Sequence, residues 1–146
     1  MPLIAALLTL ASGCATVKEP PPVPAITLSQ AIHFITPDGS DVLVSPGTYE
    51  VKPGNGAQLD LMSSVGLIGG NQTVEAVVTD IGQTLEAPAA LYIPWENDEH
   101  HIILVQPSGQ GLEAVGSGSG VRSRGAAYHP LPSAVVKKAL ASLQAK

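Results

Sequence analysis

From Ile32 onward, apolar and polar residues alternate in short runs between turn signals, the pattern of half-buried strands. Ile32 and Phe34 flank His33, and Pro37-Asp38-Gly39-Ser40 follows as a turn, because proline fixes φ and glycine accepts positive φ. Val42 and Val44 mark the returning strand. Beyond Pro46-Gly47, Tyr49 and Val51 face one way, and Thr48, Glu50 and Lys52 the other. Pro53-Gly54-Asn55-Gly56 turns the chain into Gln58 to Met62, with Leu59 and Leu61 inward. Gly69-Gly70-Asn71 predicts a further turn before one strand from Thr73 to Thr79, with Val74, Ala76 and Val78 on one face. A short strand covers Ala90 to Ile93. The continuous run His101 to Val105 predicts a central strand, and Pro107 to Gly111 turns into Leu112 to Val115.

The period changes only near the end. From Pro132, Val135, Val136, Ala139, Leu140 and Leu143 fall within one helical arc and Lys137 and Lys138 outside it, predicting an amphipathic helix. Its expected place is over one face or edge of the sheet. The predicted fold is mainly β: a small antiparallel β-sandwich or open barrel with one C-terminal amphipathic helix. Short connections favour a meander.

Composition narrows this reading. A chain of 146 residues suits one domain with a real core. Charged residues are only 13% and aromatics 3%, while 15 Gly and 13 Pro supply the many turns. A net charge of −5 argues against nucleic acid as a partner, since phosphate binding needs a basic surface. The single cysteine, Cys14, has no internal disulfide partner.

Residues 1–25 differ from the rest. Leu3 to Leu10 is an apolar run of signal-peptide length, followed by the small residues Ala11-Ser12-Gly13 and then Cys14. This order resembles the lipobox of bacterial lipoproteins. The resemblance implies a signal peptide over 1–13, lipidation at Cys14, and attachment to a lipid bilayer. No Lys or Arg precedes the apolar run, which suggests a start site upstream of Met1. Residues 14–25 hold four prolines in five positions, Pro20 to Pro24, and are expected to form an extended spacer of roughly 30 Å. Ala15, directly after the cysteine, implies the outer membrane, with the domain facing the periplasm. The β domain is expected over 26–128 and the helix over 130–146. The segments 37–51 and 99–125 resemble blocks of short exported bacterial proteins, a resemblance that implies no activity.

Several stretches carry candidate chemistry. Gly109-Gln110-Gly111-Leu112-Glu113-Ala114 fits a dinucleotide-loop spacing, yet no helix follows, so it reads as a hairpin turn. Trp95 to His101 gathers three carboxylates and two imidazoles. In an extended chain His100 and His101 point to opposite faces, so only Glu99 and His101 share a side. His33 is then the candidate third ligand for a metal, against the plainer reading of a solvated acidic loop. Arg122 and Arg124 in the Gly/Ser-rich stretch 116–125, with Ser117 and Ser119, form a candidate anion or partner site. Charge balance against Glu96 to Glu99 is the plainer alternative. Trp95 reads as rim packing rather than a sugar platform.

Together these features predict an envelope lipoprotein with a non-enzymatic β domain that binds a protein or cell-wall component. No cofactor is expected. One alternative is a module binding a small ligand or glycan through 116–125. Another is a metal-dependent hydrolase near His100 and His101.

Overall fold

The computed structural model describes residues 23–63, 71–119 and 130–144. Cys14, the leader, most of the proline-rich stretch, the Gly69-Gly70 turn, Arg122 and Arg124 lie outside the described residues. Ten strands and one helix are described: β1 Ala25–Leu28, β2 Ile32–Ile35, β3 Asp41–Val44, β4 Gly47–Pro53, β5 Gln58–Ser63, β6 Asn71–Glu75, β7 Val77–Asp80, β8 Ala89–Trp95, β9 Glu99–Val105, β10 Gln110–Ser117 and α1 Ser133–Gln144. The fold is mainly β, as the alternation predicts, with two antiparallel sheets and the C-terminal helix.

The first sheet has the order β1-β4-β5-β6, and the second β3-β2-β10-β9-β8, with β7 also pairing β10. This is not the meander that short connections suggest. The chain passes from the first sheet to the second between β1 and β2, returns between β3 and β4, and crosses again between β6 and β7. The last crossing divides the expected Thr73–Thr79 strand. Ala76 breaks it, its N–H donating to the Ala57 carbonyl, and the two halves pair in different sheets. Val74 is therefore fully buried, whereas Val78 is 51% exposed.

Packing follows from residue parity. Ile26, Leu28, Tyr49, Val51, Leu59, Leu61 and Val74 of the first sheet meet Ile32, Phe34, Ile102, Leu104, Leu112 and Ala114 of the second in one core. In β9, Ile102 and Leu104 point into that core. Ile103 and Val105 point the other way, into a second cluster with Ile81, Leu91, Leu131, Val136 and Leu140. The helix thus covers the outer face of the second sheet. This explains why β9 reads as a continuous apolar run: both of its faces are buried. In α1, Val136 and Leu140 are buried and Leu143 is 43% exposed, so only the central turns of the predicted stripe seal the sheet. Pro132 accepts the first backbone bonds of the helix from Val135 and Val136.

Candidate functional site

The titratable side chains gather at one end of the second sheet, where β8 turns into β9 through a short 3₁₀ turn at Glu96–Asp98. Asn97 and Asp98 both have φ near +59°, a left-handed conformation that short polar side chains tolerate best after glycine. The turn delivers Glu99, His100 and His101 in succession onto β9, and their alternation sends the two imidazoles to opposite faces.

His101 faces the helix side and is fully buried. Its Nδ1 lies 2.6 Å from Glu113 Oε2, and its Nε2 lies 3.0 Å from Glu99 Oε1. The register accounts for the first contact: His101 pairs with Val115 and Ile103 with Glu113, so His101 and Glu113 are diagonal neighbours on one face. Glu113 is only 2% exposed, and its Oε2 also accepts the Leu131 N–H at 3.2 Å. That bond fastens the lead-in to α1 onto the sheet.

The hydrogen count of this cluster follows from its contacts. A neutral imidazole carries one N–H, but here each ring nitrogen faces a carboxylate. Both contacts are hydrogen bonds only if a second hydrogen sits on the ring or on one of the carboxyl groups. A buried carboxylate left without it would oppose a nitrogen lone pair, at several kcal/mol on the scale of about 3–5 for a broken buried pair.

His100 faces the other sheet, and its partners are of a different kind. Its Nδ1 is 2.8 Å from the Tyr92 hydroxyl and its Nε2 3.2 Å from Asp98 Oδ1. The two rings are stacked, nearly parallel, with centroids 5.9 Å apart. Tyr92 O–H donates to Nδ1 and Nε2–H donates to Asp98, so a neutral ring satisfies both. Burial pushes the Tyr92 phenol up, a hydrogen bond with Ser29 opposes this, and the Asp98 charge adds to the rise. Asp98 is exposed, and its carboxyl is held below the usual aspartate range by the Ser119 hydroxyl, which donates to Oδ2 at 2.7 Å, and then by His100. The Gly118 N–H donates to the Asp98 carbonyl at 3.2 Å. A Cβ on Gly118 would lie 2.6 Å from both Asp98 Oδ1 and Gln30 Nε2, so a side chain there would displace the ends of those two side chains.

His33 does not join Glu99 and His101 as a third ligand. It lies in the same cross-strand row as Glu99, through Ser117, but β10 stands between them, about 9–10 Å at ordinary strand spacing. Its Nδ1 instead meets both Asp41 oxygens, at 3.0 and 3.2 Å. The third member of the cluster is Glu113, which the alternation alone places in a plain hairpin strand. A charged residue in a strand beside the apolar run holding His101 was the available signal, because two polar groups buried side by side are expected to pair. Among the described residues, no group of three or more His, Cys, Asp or Glu side chains is arranged to hold a metal ion. Of the candidate anion-site residues, Ser117 ends β10 beside Glu99 and His33, and the Ser119 hydroxyl is directed at a carboxylate. Gly109, at φ +93°, sits in the β9–β10 hairpin turn, as expected for that glycine-rich stretch. Trp95 is at the rim of the second sheet, 36% exposed.

No protein-family model, curated protein or solved structure matches this chain.

Proposed function

We propose that the chain is a lipid-anchored protein of the bacterial cell envelope whose β domain is a non-enzymatic binding module. The observation that carries this reading is the order of features before the first strand. An apolar run ends in Ala11-Ser12-Gly13, Cys14 follows, and a proline-rich spacer leads to β1, which begins at Ala25 directly after Pro24. Such an order separates an anchor from a folded domain by a segment poor in backbone donors and too stiff to collapse. Ala15 after the cysteine favours the outer membrane, facing the periplasm, and a protein or cell-wall component there is the proposed partner.

The described imidazoles fit a binding module better than a hydrolase. His100 and His101 are buried and held by carboxylates of the same chain, so neither ring is open to a substrate. Palmitate labelling of cells expressing wild type and Cys14→Ser tests the anchor. Label is expected in the wild type alone, and equal label in both would overturn the reading.

A further inference from the structure

β7 lies at an edge of the second sheet, and the direction of its backbone groups follows from its neighbours. Its ladder with β10 pairs Val77 with Glu113, Val78 with Leu112, Thr79 with Gly111 and Asp80 with Gln110. Ile81, next in line, donates its N–H to the Gly109 carbonyl at 2.9 Å. Antiparallel pairs alternate between bonded and non-bonded, so Val77 and Thr79 exchange hydrogen bonds with β10. Val78 and Asp80 turn their N–H and C=O groups the other way. The Ala76 N–H agrees with this parity, since it reaches the Ala57 carbonyl of the first sheet. Among the described residues β7 pairs with no strand but β10. Val78 and Asp80 therefore form an open edge of two donors and two acceptors.

The side chains along this edge are open too. Val77 and Val78 are 40% and 51% exposed, and Asp80 is exposed. Val78 shares a face with its cross-strand partner Leu112, which is buried in the core between the sheets. That apolar face thus runs out from under the first sheet and ends bare at Val78. A cleft lined by Val78, Thr79, Asp80, Ser108 and Gln110 borders it. Asp80 is the one charged residue of the lining. Its Oδ1 accepts the Gly82 N–H at 2.9 Å, and Lys137 reaches toward Gly82 from α1 without an ion pair to Asp80. Water satisfies edge backbone groups but leaves the valines wet. An added strand satisfies the first and covers the second.

We propose that the β7 edge takes up an extended segment of a partner protein as an added antiparallel strand. An apolar side chain of that segment lies beside Val78 and a basic one beside Asp80. Antiparallel order places the basic residue two positions before the apolar one. A second copy of this chain is the poorer occupant. Pairing β7 with itself would bring another Asp80 to the edge and join two chains of net charge −5. The proposal rests on the binding-module reading and deepens it, naming a polypeptide as the partner, but it makes no use of the anchor.

Titration of the full-length Cys14→Ser chain with the capped peptide acetyl-Thr-Lys-Thr-Val-Thr-amide, followed by amide resonances, tests the edge. Saturable shifts are expected from Val77 to Asp80. Methylating the Lys and Val amide nitrogens of the peptide abolishes them, because those N–H groups donate to β7. Val78→Pro does the same from the protein side, removing an outward N–H while sparing the bonds to β10. Asp80→Asn keeps an acceptor for Gly82 and weakens the peptide about threefold, with no effect on a peptide carrying Gln for Lys. Absence of saturable shifts in the otherwise wild-type chain, or equal binding of the methylated peptide, would overturn the site. Self-association that Val78→Pro abolishes, without peptide binding, would assign the edge to a second copy and overturn the proposal as well. None of these outcomes depends on whether Cys14 carries lipid, and unlabelled Cys14 would leave the edge standing.

Discussion

His100 and His101 are adjacent in sequence and opposite in circumstance. One ring is shared between a phenol and an exposed aspartate at the sheet's end; the other is sealed between two glutamates under the helix. A hydroxyl both donates and accepts, so the Tyr92–His100–Asp98 chain is complete with a neutral ring. Two carboxylates only accept when ionised, so the Glu113–His101–Glu99 cluster needs one more hydrogen. The difference shows that partner type, more than burial alone, fixes what a histidine must carry. It also gives the sealed cluster a structural role, because Glu113 joins β9, β10 and the lead-in to α1 at one oxygen.

The sharpest way to break this contrast is to remove one member from each group. Glu113→Ala leaves a buried imidazole and the Leu131 N–H without their acceptor, and is expected to cost about 3–5 kcal/mol in urea unfolding. Gly116→Ala comes next. A Cβ there would lie 2.6 Å from Ile32 Cγ2 and 2.7 Å from the His33 carbonyl, and overpacking between β10 and β2 is expected to cost about 2–3 kcal/mol. Tyr92→Phe deletes the hydroxyl that bonds His100 and Ser29 in the more open group, with an expected loss of about 1–2 kcal/mol. A loss for Tyr92→Phe matching that for Glu113→Ala would erase the distinction between the sealed and open groups.

The smallest effect is one of shape. Because the Asp98 carboxyl is held below its ordinary range in the folded chain, its contribution is present above that range and is lost as pH falls through the lowered value. Asp98→Asn is therefore expected to lower the melting temperature in the neutral region and to converge on wild type as pH falls through the lowered value, which flattens the acid limb. A profile parallel to wild type throughout the acid limb would contradict the assigned contacts.

The sequence made the strands legible wherever one face is dry and the other wet. Phe34, Val44, Val51, Leu59 and Leu61 are buried where the alternation puts them, and β9 is the central, doubly buried strand its apolar run predicts. The helix was legible because its period differs from everything before it. Topology was not, since alternation records which face a residue takes but not which strand lies beside it. Ala76 shows the limit: an apolar residue in step with its neighbours gives no local sign that the chain changes sheets there. Glu113 was hidden for a related reason, because a lone glutamate in a strand reads as solvent-facing until its cross-strand neighbours are known. The pairing of His33 with Asp41 rather than Glu99 likewise depends on β10 lying between them.

Both histidine groups bind inward, and the proposed role rests on the anchor read from the sequence around Cys14. Mass spectrometry of the tryptic N-terminal peptide from membrane-extracted protein tests the anchor most directly. No Lys or Arg precedes Lys18, so cleavage there isolates the anchor region in one fragment. A lipid-anchored chain yields a peptide that begins at an acylated Cys14 and ends at Lys18. An unmodified peptide running through Gly13-Cys14 uncut would contradict it.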